Sequence, residues 1–251
     1  MSFTCCTSCP QGCFVNRFCS KQSVEILDKS KRIALYKKGQ YIFHEGNLVQ
    51  GIYIVKSGKV KVINTGFNQK TQIIRFAKDG HLLGHRGLGD KYYLISAVAI
   101  EDSTLCFIED TIFTEFLINE PQLSYQLMLF YAEELRIAET RMKNLAQMTV
   151  LEKAAEALLI IKRTFGMVQK SQTFLLDVML SRRDMAELAG LSTEQLIRCL
   201  SEFRKRKIIS IQGKKIIILQ PEKLYDFTIP YYRPDIFKEL YHISDTATAS
   251  N

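Results

Sequence analysis

The sequence of 251 residues lacks the features that would assign it to several common classes of protein. It has no apolar run of about 20 residues, which a membrane-spanning helix needs, so we expect a soluble chain without a membrane partner. The N-terminus, MSFTCCTSCPQGC, has neither the basic nor the apolar segment of a secretory signal, which predicts a cytoplasmic protein. No nucleophile, base and orienting group occur together at a recognisable spacing, and this argues against an enzyme.

Cysteine is concentrated at the N-terminus, where five of the seven cysteines lie within the first nineteen residues. These are Cys5, Cys6, Cys9, Cys13 and Cys19. Cytoplasmic thiols stay reduced, so such a lopsided set is a poor disulfide framework. Thiolates bind iron–sulfur clusters or zinc, and close spacing lowers the loop entropy of wrapping several around one centre. The segment therefore predicts a metal-binding loop, with idle surface thiols as the alternative.

The chain between residues 33 and 108 consists of short apolar runs that turn residues interrupt. YIFHEG, GIYIVKSGKVKVI, TQIIRFAKDG and STLCFIED each join a β-rich run to a Gly, Asp or Asn turn. A short helical stretch around residues 23–31 precedes them. This pattern predicts an antiparallel roll or barrel.

A helical period begins after residue 111 and is sustained over residues 123–149. Its apolar positions alternate in steps of three and four: Met128, Tyr131, Leu135, Ala138, Met142, Leu145 and Thr149. Such spacing is typical of a coiled coil, so we predict a dimer interface, with packing against the chain's own roll as the alternative. A second helix is expected over residues 151–163. The extension over residues 221–251 has no readable role.

Residues 181–219 have the pattern of a helix, a turn, a second helix and a hairpin. Ser181 can cap the first helix, Gly190 supplies the turn, and Ser192 with Gln195 forms a capping box for the second helix. The second helix has a buried stripe of Leu196, Leu200 and Phe203. Its exposed start then consists of Thr193, Glu194, Ile197 and Arg198. That end of such a helix enters the major groove of DNA.

Positive charge is concentrated in the same stretch, within a chain of net charge +8. The residues predicted to contact DNA phosphates are Arg182, Arg183, Ser192, Lys205, Lys214 and Lys215. The clustering of positive charge in this stretch is more informative than the net charge of the chain, because many basic proteins bind no nucleic acid.

Four motifs together carry a resemblance to a known family: KKGQYIF-x-x-G, IYIVKSGKVKV, FAKDGHLLG and SRRDMAELAGLSTEQLIR. Over roughly residues 20–220 the chain resembles the cyclic-AMP receptor protein and FNR (CRP/FNR) family of bacterial transcription regulators. The resemblance implies an α+β fold with a cyclic-nucleotide-binding-like β-roll, a long dimerisation helix and a C-terminal winged helix-turn-helix. The implied divisions are 1–22 (cluster-binding segment), 23–118 (roll), 119–149 (dimerisation helix), 150–220 (DNA-binding domain) and 221–251 (extension).

The positions that bind a cyclic nucleotide in this family have changed. The family's ribose-binding Glu is replaced by His85, and its phosphate-binding Arg-Ser pair falls near Leu94 and Ile95. Nothing there can pair a buried phosphate, so cyclic AMP is not expected as a ligand. We expect His85 to be a solvated turn histidine, with haem binding as the alternative.

The FNR branch of the family has a cysteine group before the roll and one distant cysteine in a late strand, and together they hold a [4Fe–4S] cluster. By this resemblance Cys106 is the distant ligand, and Cys13 and Cys19 match the last two N-terminal ligands. Cys9 is the favoured third, with Cys6 and Cys5 in reserve. Zinc, haem, a thiol switch or no cofactor are the alternatives. Cys199, outside this pattern, is expected to serve packing.

The resemblance also implies what the protein binds. A homodimer would place two DNA-binding helices on a near-palindromic, TTGA-like site in double-stranded DNA, with RNA polymerase as a further partner. Arg198 suits guanine and Glu194 suits cytosine N4, while Ile197 stands where FNR-like proteins have Ser and could meet a thymine methyl. A solvated Glu194–Arg198 salt bridge, and a module that binds protein instead of DNA, are the alternatives.

Overall fold

The computed structural model describes residues 6, 9, 12–170 and 173–232. Cys5 and the part of the C-terminal extension beyond residue 232 lie outside the described residues. The chain divides into two compact units, Met1–Glu139 and Thr140–Asn251. Each unit is described separately below.

The first unit begins with two short helices and continues into eight strands. The helices are α1 (Phe14–Phe18) and α2 (Lys21–Ser30). The strands are β1 (Arg32–Tyr36), β2 (Tyr41–Phe43), β3 (Gly51–Ser57), β4 (Val60–Thr65), β5 (Thr71–Ala77), β6 (Leu82–Leu83), β7 (Ser96–Ala99) and β8 (Ser103–Glu109). They form two four-stranded antiparallel sheets, with orders β1-β8-β3-β6 and β2-β7-β4-β5. The predicted antiparallel roll is confirmed.

The turn between β3 and β4 shows why glycine punctuates this part of the sequence. Gly58 has φ +115°, and a Cβ atom there would lie 2.6 Å from the Cβ of Ser103. Only glycine avoids both the backbone strain and the clash. The glycine therefore lets two neighbouring strands approach closely.

Two helices follow the roll. They are α3 (Asp110–Asn119) and α4 (Pro121–Gln147), and the boundary between the two units falls within α4. The sequence predicts the long helix over residues 123–149, and the structure ends it two residues earlier. Thr149 is instead the N-cap of the next helix, with a capping box to Glu152.

The second unit contains the remaining elements. They are α5 (Val150–Phe165), β9 (Met167–Lys170), β10 (Thr173–Leu176), α6 (Arg182–Ala189), α7 (Thr193–Lys205), β11 (Ile209–Gln212), β12 (Lys215–Ile218) and α8 (Pro221–Asp226). The strands form an antiparallel sheet of order β11-β12-β10-β9. Helices α6 and α7 with the β11–β12 hairpin confirm the winged helix-turn-helix.

The cysteine segment packs into a core of the first unit. This core contains Cys6, Val15, Val24 and Leu27 beside residues of β3, β8, α3 and α4, and Cys13, Cys19 and Cys106 pack against it. Cys6 is thus part of a buried core between helices and the face of one sheet, and Cys13 and Cys19 lie against it. None of the helices in the described ranges is long and apolar enough to cross a bilayer.

Candidate cysteine pocket and DNA-binding helix

Four cysteines from distant parts of the sequence line one pocket. Cys6, Cys9 and Cys13 come from the N-terminal segment, and Cys106 comes from β8, where it lies opposite Ile54 of β3. The sheet fixes Cys106 because it is paired on both sides, to β1 and to β3. The pocket brings the predicted distant ligand together with three N-terminal thiols.

Hydrogen bonds to neighbouring helices hold the N-terminal side of this pocket. The backbone N–H of Cys6 donates to Asp28 Oδ1 at 2.8 Å, and Asn16 Nδ2 donates to the Cys6 carbonyl oxygen at 2.8 Å. The N–H of Cys9 donates in turn to the Cys6 carbonyl at 3.2 Å. Sequence reasoning missed Asp28 and Asn16, because nothing in their local pattern shows which backbone they bind.

Cys19 is placed differently from the other predicted ligands. It caps the C-terminus of α1, where its N–H donates to the Val15 carbonyl at 3.0 Å, and it is not among the residues that line the pocket. Burial, with Glu120 and Cys13 nearby, raises the pKa of its thiol to about 12. Cys6, kept in reserve from the sequence, lies in the pocket instead.

The environment of the thiols favours their neutral form when nothing is bound. Burial raises the pKa of Cys6 and that of Cys106 to about 11 each. Burial also raises the pKa of Cys13, and the neighbouring Cys9 raises it further. A bound cation would reverse this preference, because metal ligation requires thiolates.

The donor set fits a thiolate-bound metal or cluster in residue type and in convergence. Four cysteines line one pocket together with apolar residues such as Leu27, Ile54 and Ile108, and iron–sulfur clusters and structural zinc are held by thiolates in sites of this kind. Over the ranges that the structure describes, however, no three His, Cys, Asp or Glu side chains are already arranged around a metal position. The thiols would therefore have to adjust their rotamers on binding.

Two lysines also line the pocket, Lys31 and Lys56. Lys31 directly follows α2, its side chain is only 7% exposed, and its ammonium forms an ion pair with Asp28. Burial lowers the pKa of Lys31, but hydrogen bonds with Asp28 and Cys6 outweigh this and raise it overall. Lys31 is therefore a buried cation beside the thiols.

The prediction that His85 is a solvated turn histidine is wrong. The residue is 1% exposed, and Phe130 and Tyr131 of α4 cover its ring, with centroids 5.1 Å and 5.6 Å away. Burial, with Arg75 and Arg86 nearby, lowers its pKa to about 2. The imidazole is thus a neutral core group.

The surroundings of His85 do not recreate a phosphate site at the positions the family uses. Leu94 is exposed and Ile95 is buried, and neither hydrocarbon side chain has a hydrogen-bond donor. Arg86 Nη2 donates to Glu134 Oε2 at 2.7 Å, and Arg75 Nη1 lies 3.5 Å from Glu134 Oε1. Both arginines already have a carboxylate partner on α4.

The predicted dimer residues divide into two groups along α4. Met128, Leu135, Ala138 and Met142 are exposed, and Tyr125 and Leu129, which sequence reasoning missed, add exposed apolar area. Tyr131 and Leu145 are half-buried, and the Tyr131 hydroxyl donates to the His85 carbonyl oxygen at 2.5 Å. Tyr131 thus contacts its own roll, and its place in a dimer interface stays a prediction.

Two capping boxes position the DNA-binding helix. Ser181 caps α6 with Asp184, and Ser192 caps α7 with Gln195, whose N–H donates to the Ser192 hydroxyl at 3.2 Å. Gly190 has φ +67° and makes the turn between the helices. Asp184 was missed, although its spacing from Ser181 is the local signal that would have found it.

The predicted base-reading residues stand at the free end of α7. Glu194, Ile197 and Arg198 are exposed, and Thr193 is half-buried, while Leu196, Leu200 and Phe203 are buried. Neither Glu194 nor Arg198 has an ion-pair partner among the residues that the structure describes, so the alternative salt bridge is not formed. Cys199 is buried, with its Sγ 3.6 Å from the Val150 carbonyl oxygen, which confirms its packing role.

The side chains predicted to contact phosphates differ in their exposure and in the hydrogen bonds that they already make. Lys205, Lys214 and Lys215 are exposed, whereas Arg183 Nε donates to Glu187 Oε1 at 2.8 Å. Arg182 is half-buried, and its Nη2 donates to the Gly213 carbonyl at 3.3 Å. Arg182 therefore ties α6 to the hairpin.

Comparisons with known proteins match both units. Residues 34–120 match the model of the cyclic nucleotide-binding domain, and residues 152–227 match the model of the Crp-like helix-turn-helix domain. The chain is 28% identical to the transcriptional activator protein Anr of Pseudomonas protegens, over 81% of this chain and 83% of that protein. It is 27% identical to the regulatory protein HlyX of Actinobacillus pleuropneumoniae, over 87% and 93%.

Solved structures support the same fold. FixK2 from Bradyrhizobium japonicum matches with a TM-score of 0.69 at 24% identity, over 78% of this chain and 96% of that chain. A transcriptional regulator of the CRP/FNR family from Thermus thermophilus matches with a TM-score of 0.66 at 20% identity, over 79% and 98%.

Proposed function

This chain belongs to the CRP/FNR family of transcription regulators, and we propose that it senses oxygen or redox state through a [4Fe–4S] cluster at its N-terminus. The relatives described above are a transcriptional activator protein and a regulatory protein, and neither name is that of an enzyme. The observation that carries the sensing proposal is the pocket that gathers Cys6, Cys9 and Cys13 with Cys106.

We assign the ligands to four cysteines, of which Cys9, Cys13 and Cys106 share the pocket. Cys19 remains the favoured fourth from its spacing, and Cys6 is the alternative because it lies in the pocket. When bound there, a [4Fe–4S] cluster supplies a centre that dioxygen destroys, so its integrity reports oxygen.

Contacts of the cysteine segment suggest how the signal reaches the dimer helix. The Phe14 ring of α1 lies 5.8 Å from that of Phe130 on α4, and Val15 shares a core with Leu123 and Leu127. Ligation would tie α1 to β8 through Cys13 and Cys106, and thereby hold α1 against this part of α4. Release of the thiols would loosen that packing, next to the exposed Met128 and Leu129.

The output is binding to DNA as a homodimer. The exposed apolar positions of α4 favour pairing with a second copy, which would bring two α7 helices onto a near-palindromic, TTGA-like site. Arg198 would donate to guanine and Glu194 would accept from cytosine N4, while Lys205, Lys214 and Lys215 would contact phosphates. RNA polymerase is the further partner that we propose.

Anaerobic purification followed by metal analysis tests the sensing proposal. We expect a coloured protein with about four irons and four acid-labile sulfides per chain. If the analysis finds zinc and no sulfide, the pocket is a structural zinc site and not a cluster site, because the same thiols also suit tetrahedral zinc. A colourless, metal-free protein that still binds DNA would reject the cofactor and retain the regulator.

A further inference from the structure

One charged group at the cysteine pocket has no part in the ligand set. Lys31 lines the pocket together with Cys6, Cys9, Cys13 and Cys106, and its side chain is almost fully buried. Lysine is rarely buried to this extent unless a specific interaction compensates for the lost hydration. Asp28, one turn earlier, provides part of that compensation through its ion pair.

Asp28 does not cancel the effect of Lys31 on the thiols. Its Oδ1 atom also accepts the backbone N–H of Cys6, so the carboxylate holds the loop and the lysine at once. Lys31 lines the same pocket as Cys6 and Cys106, and its charge counteracts the effect of burial on the pKa of both thiols. It therefore acts on thiols from both ends of the pocket.

The other nearby cations are placed less favourably. Lys56 of β3 is half-buried and acts on Cys106, and Arg17 acts on Cys13. Among the cations that the structure places near these thiols, Lys31 is the one that reaches both the N-terminal loop and β8.

A centre bound by four thiolates carries more negative charge than the metal neutralises. Each thiol loses its proton to solvent on binding, so a dication with four thiolates has a net double negative charge. In an apolar pocket such charge is stabilised poorly by water and strongly by a nearby fixed cation. We infer that Lys31, oriented by Asp28, is the positioning residue whose charge stabilises the thiolate-bound centre. This inference rests on the proposed cysteine site.

Binding of Co²⁺ to the full-length, reduced and metal-free protein tests the inference without any cluster. Thiolate-to-cobalt charge-transfer absorption reports ligation, and competition with a chelator gives the affinity. We expect Lys31→Met to weaken Co²⁺ binding about tenfold, from the loss of one nearby charge at an intermediate effective dielectric constant. Lys31→Arg should stay close to the unmodified protein, because it keeps the charge.

Two further variants separate charge from shape. Lys29→Met removes an exposed lysine from the same helix and should leave the affinity unchanged. Asp28→Asn keeps an oxygen that can accept the Cys6 N–H but removes the ion pair that orients Lys31, so it should weaken Co²⁺ binding by less than Lys31→Met does. Circular dichroism confirms that each variant is folded.

The outcomes distinguish this inference from the proposed function. Equal Co²⁺ affinities of Lys31→Met and the unmodified protein, with thiolate absorption present in both, would overturn the inference alone. Equal weakening by Lys31→Met and Lys31→Arg would also overturn it, since shape and not charge would then matter. Absence of thiolate absorption in the unmodified protein would overturn both the inference and the cysteine site.

Discussion

The cysteine pocket and the α6–α7 helix pair are built in opposite ways. In the helix pair, each cap joins residues three positions apart, as between Ser192 and Gln195. In the pocket, Cys106 meets thiols from the other end of the first unit, and the loop is held by Asp28. Local bonds thus define the start of each helix in the helix pair, whereas long-range contacts bring the cysteines of the pocket together.

The largest effect expected of a single change is that of Cys106→Ala. Because Cys106 is the ligand that we propose from β8, its loss should abolish the iron and sulfide content of anaerobically purified protein. Cys199→Ala is the matched control, since Cys199 is also buried but packs near Val150. Full cofactor content in Cys106→Ala would show that the pocket is not the site.

The second largest effect is expected in the α6–α7 helix pair. Arg198→Ala should weaken binding to a TTGA-like palindrome by about 1–3 kcal/mol, or roughly 5- to 150-fold, and leave the cofactor intact. Lys205→Ala, at the far end of the same helix, removes a predicted phosphate contact and should instead weaken binding to all DNA sequences similarly. Electrophoretic mobility shifts with specific and scrambled fragments distinguish the two outcomes.

The two regions also differ in how much of their structure could be predicted from the sequence. The capping boxes, the Gly190 turn and the exposed positions of α7 were predictable, because each depends on neighbours within a few residues. The burial of His85 was not, since it depends on Phe130 and Tyr131, which lie far along the chain. Lys31 was missed for the same reason. Spacing favoured Cys9 and Cys19 and kept Cys6 in reserve, and it could not show that Cys6 lines the pocket whereas Cys19 does not.

A smaller effect concerns the pH dependence of folding. The unfolded His85 has a pKa of about 6.5, whereas the folded residue has a pKa of about 2, so below pH 6.5 only the unfolded state gains this proton. Stability should therefore fall with decreasing pH, by about 1.4 kcal/mol per unit for this group. His81, whose pKa burial lowers to about 4, adds to the same loss.

Denaturant unfolding between pH 6.5 and 5 measures this contribution. Over this interval the folded His85 and His81 both stay neutral and contribute equally. We therefore expect His85→Leu to remove about half of the loss of stability that these two histidines cause, while His44→Gln, at an exposed position, leaves it unchanged. The same pH slope in His85→Leu and the unmodified protein would show that His85 is not buried as a neutral ring.

The smallest effect tests the local construction of the DNA-binding helix. Ser192→Ala removes the N-cap of α7 and should lower the free energy of unfolding of the second unit by about 1 kcal/mol. Ser201→Ala, within the same helix, should have little effect because it removes no cap. Equal stability of the two variants would mean that tertiary packing and not the cap fixes the start of α7.

The central claim is that the state of the cysteine pocket controls DNA binding, and air exposure of the anaerobic protein tests it most directly. The visible absorption of the cluster and the binding of a labelled TTGA-like palindrome are followed together in one sample. We predict that both are lost with the same time course. Arg198→Ala, whose binding to the palindrome is weakened from the start, should lose the absorption with that same time course. DNA binding that persists after the absorption has gone would contradict the account.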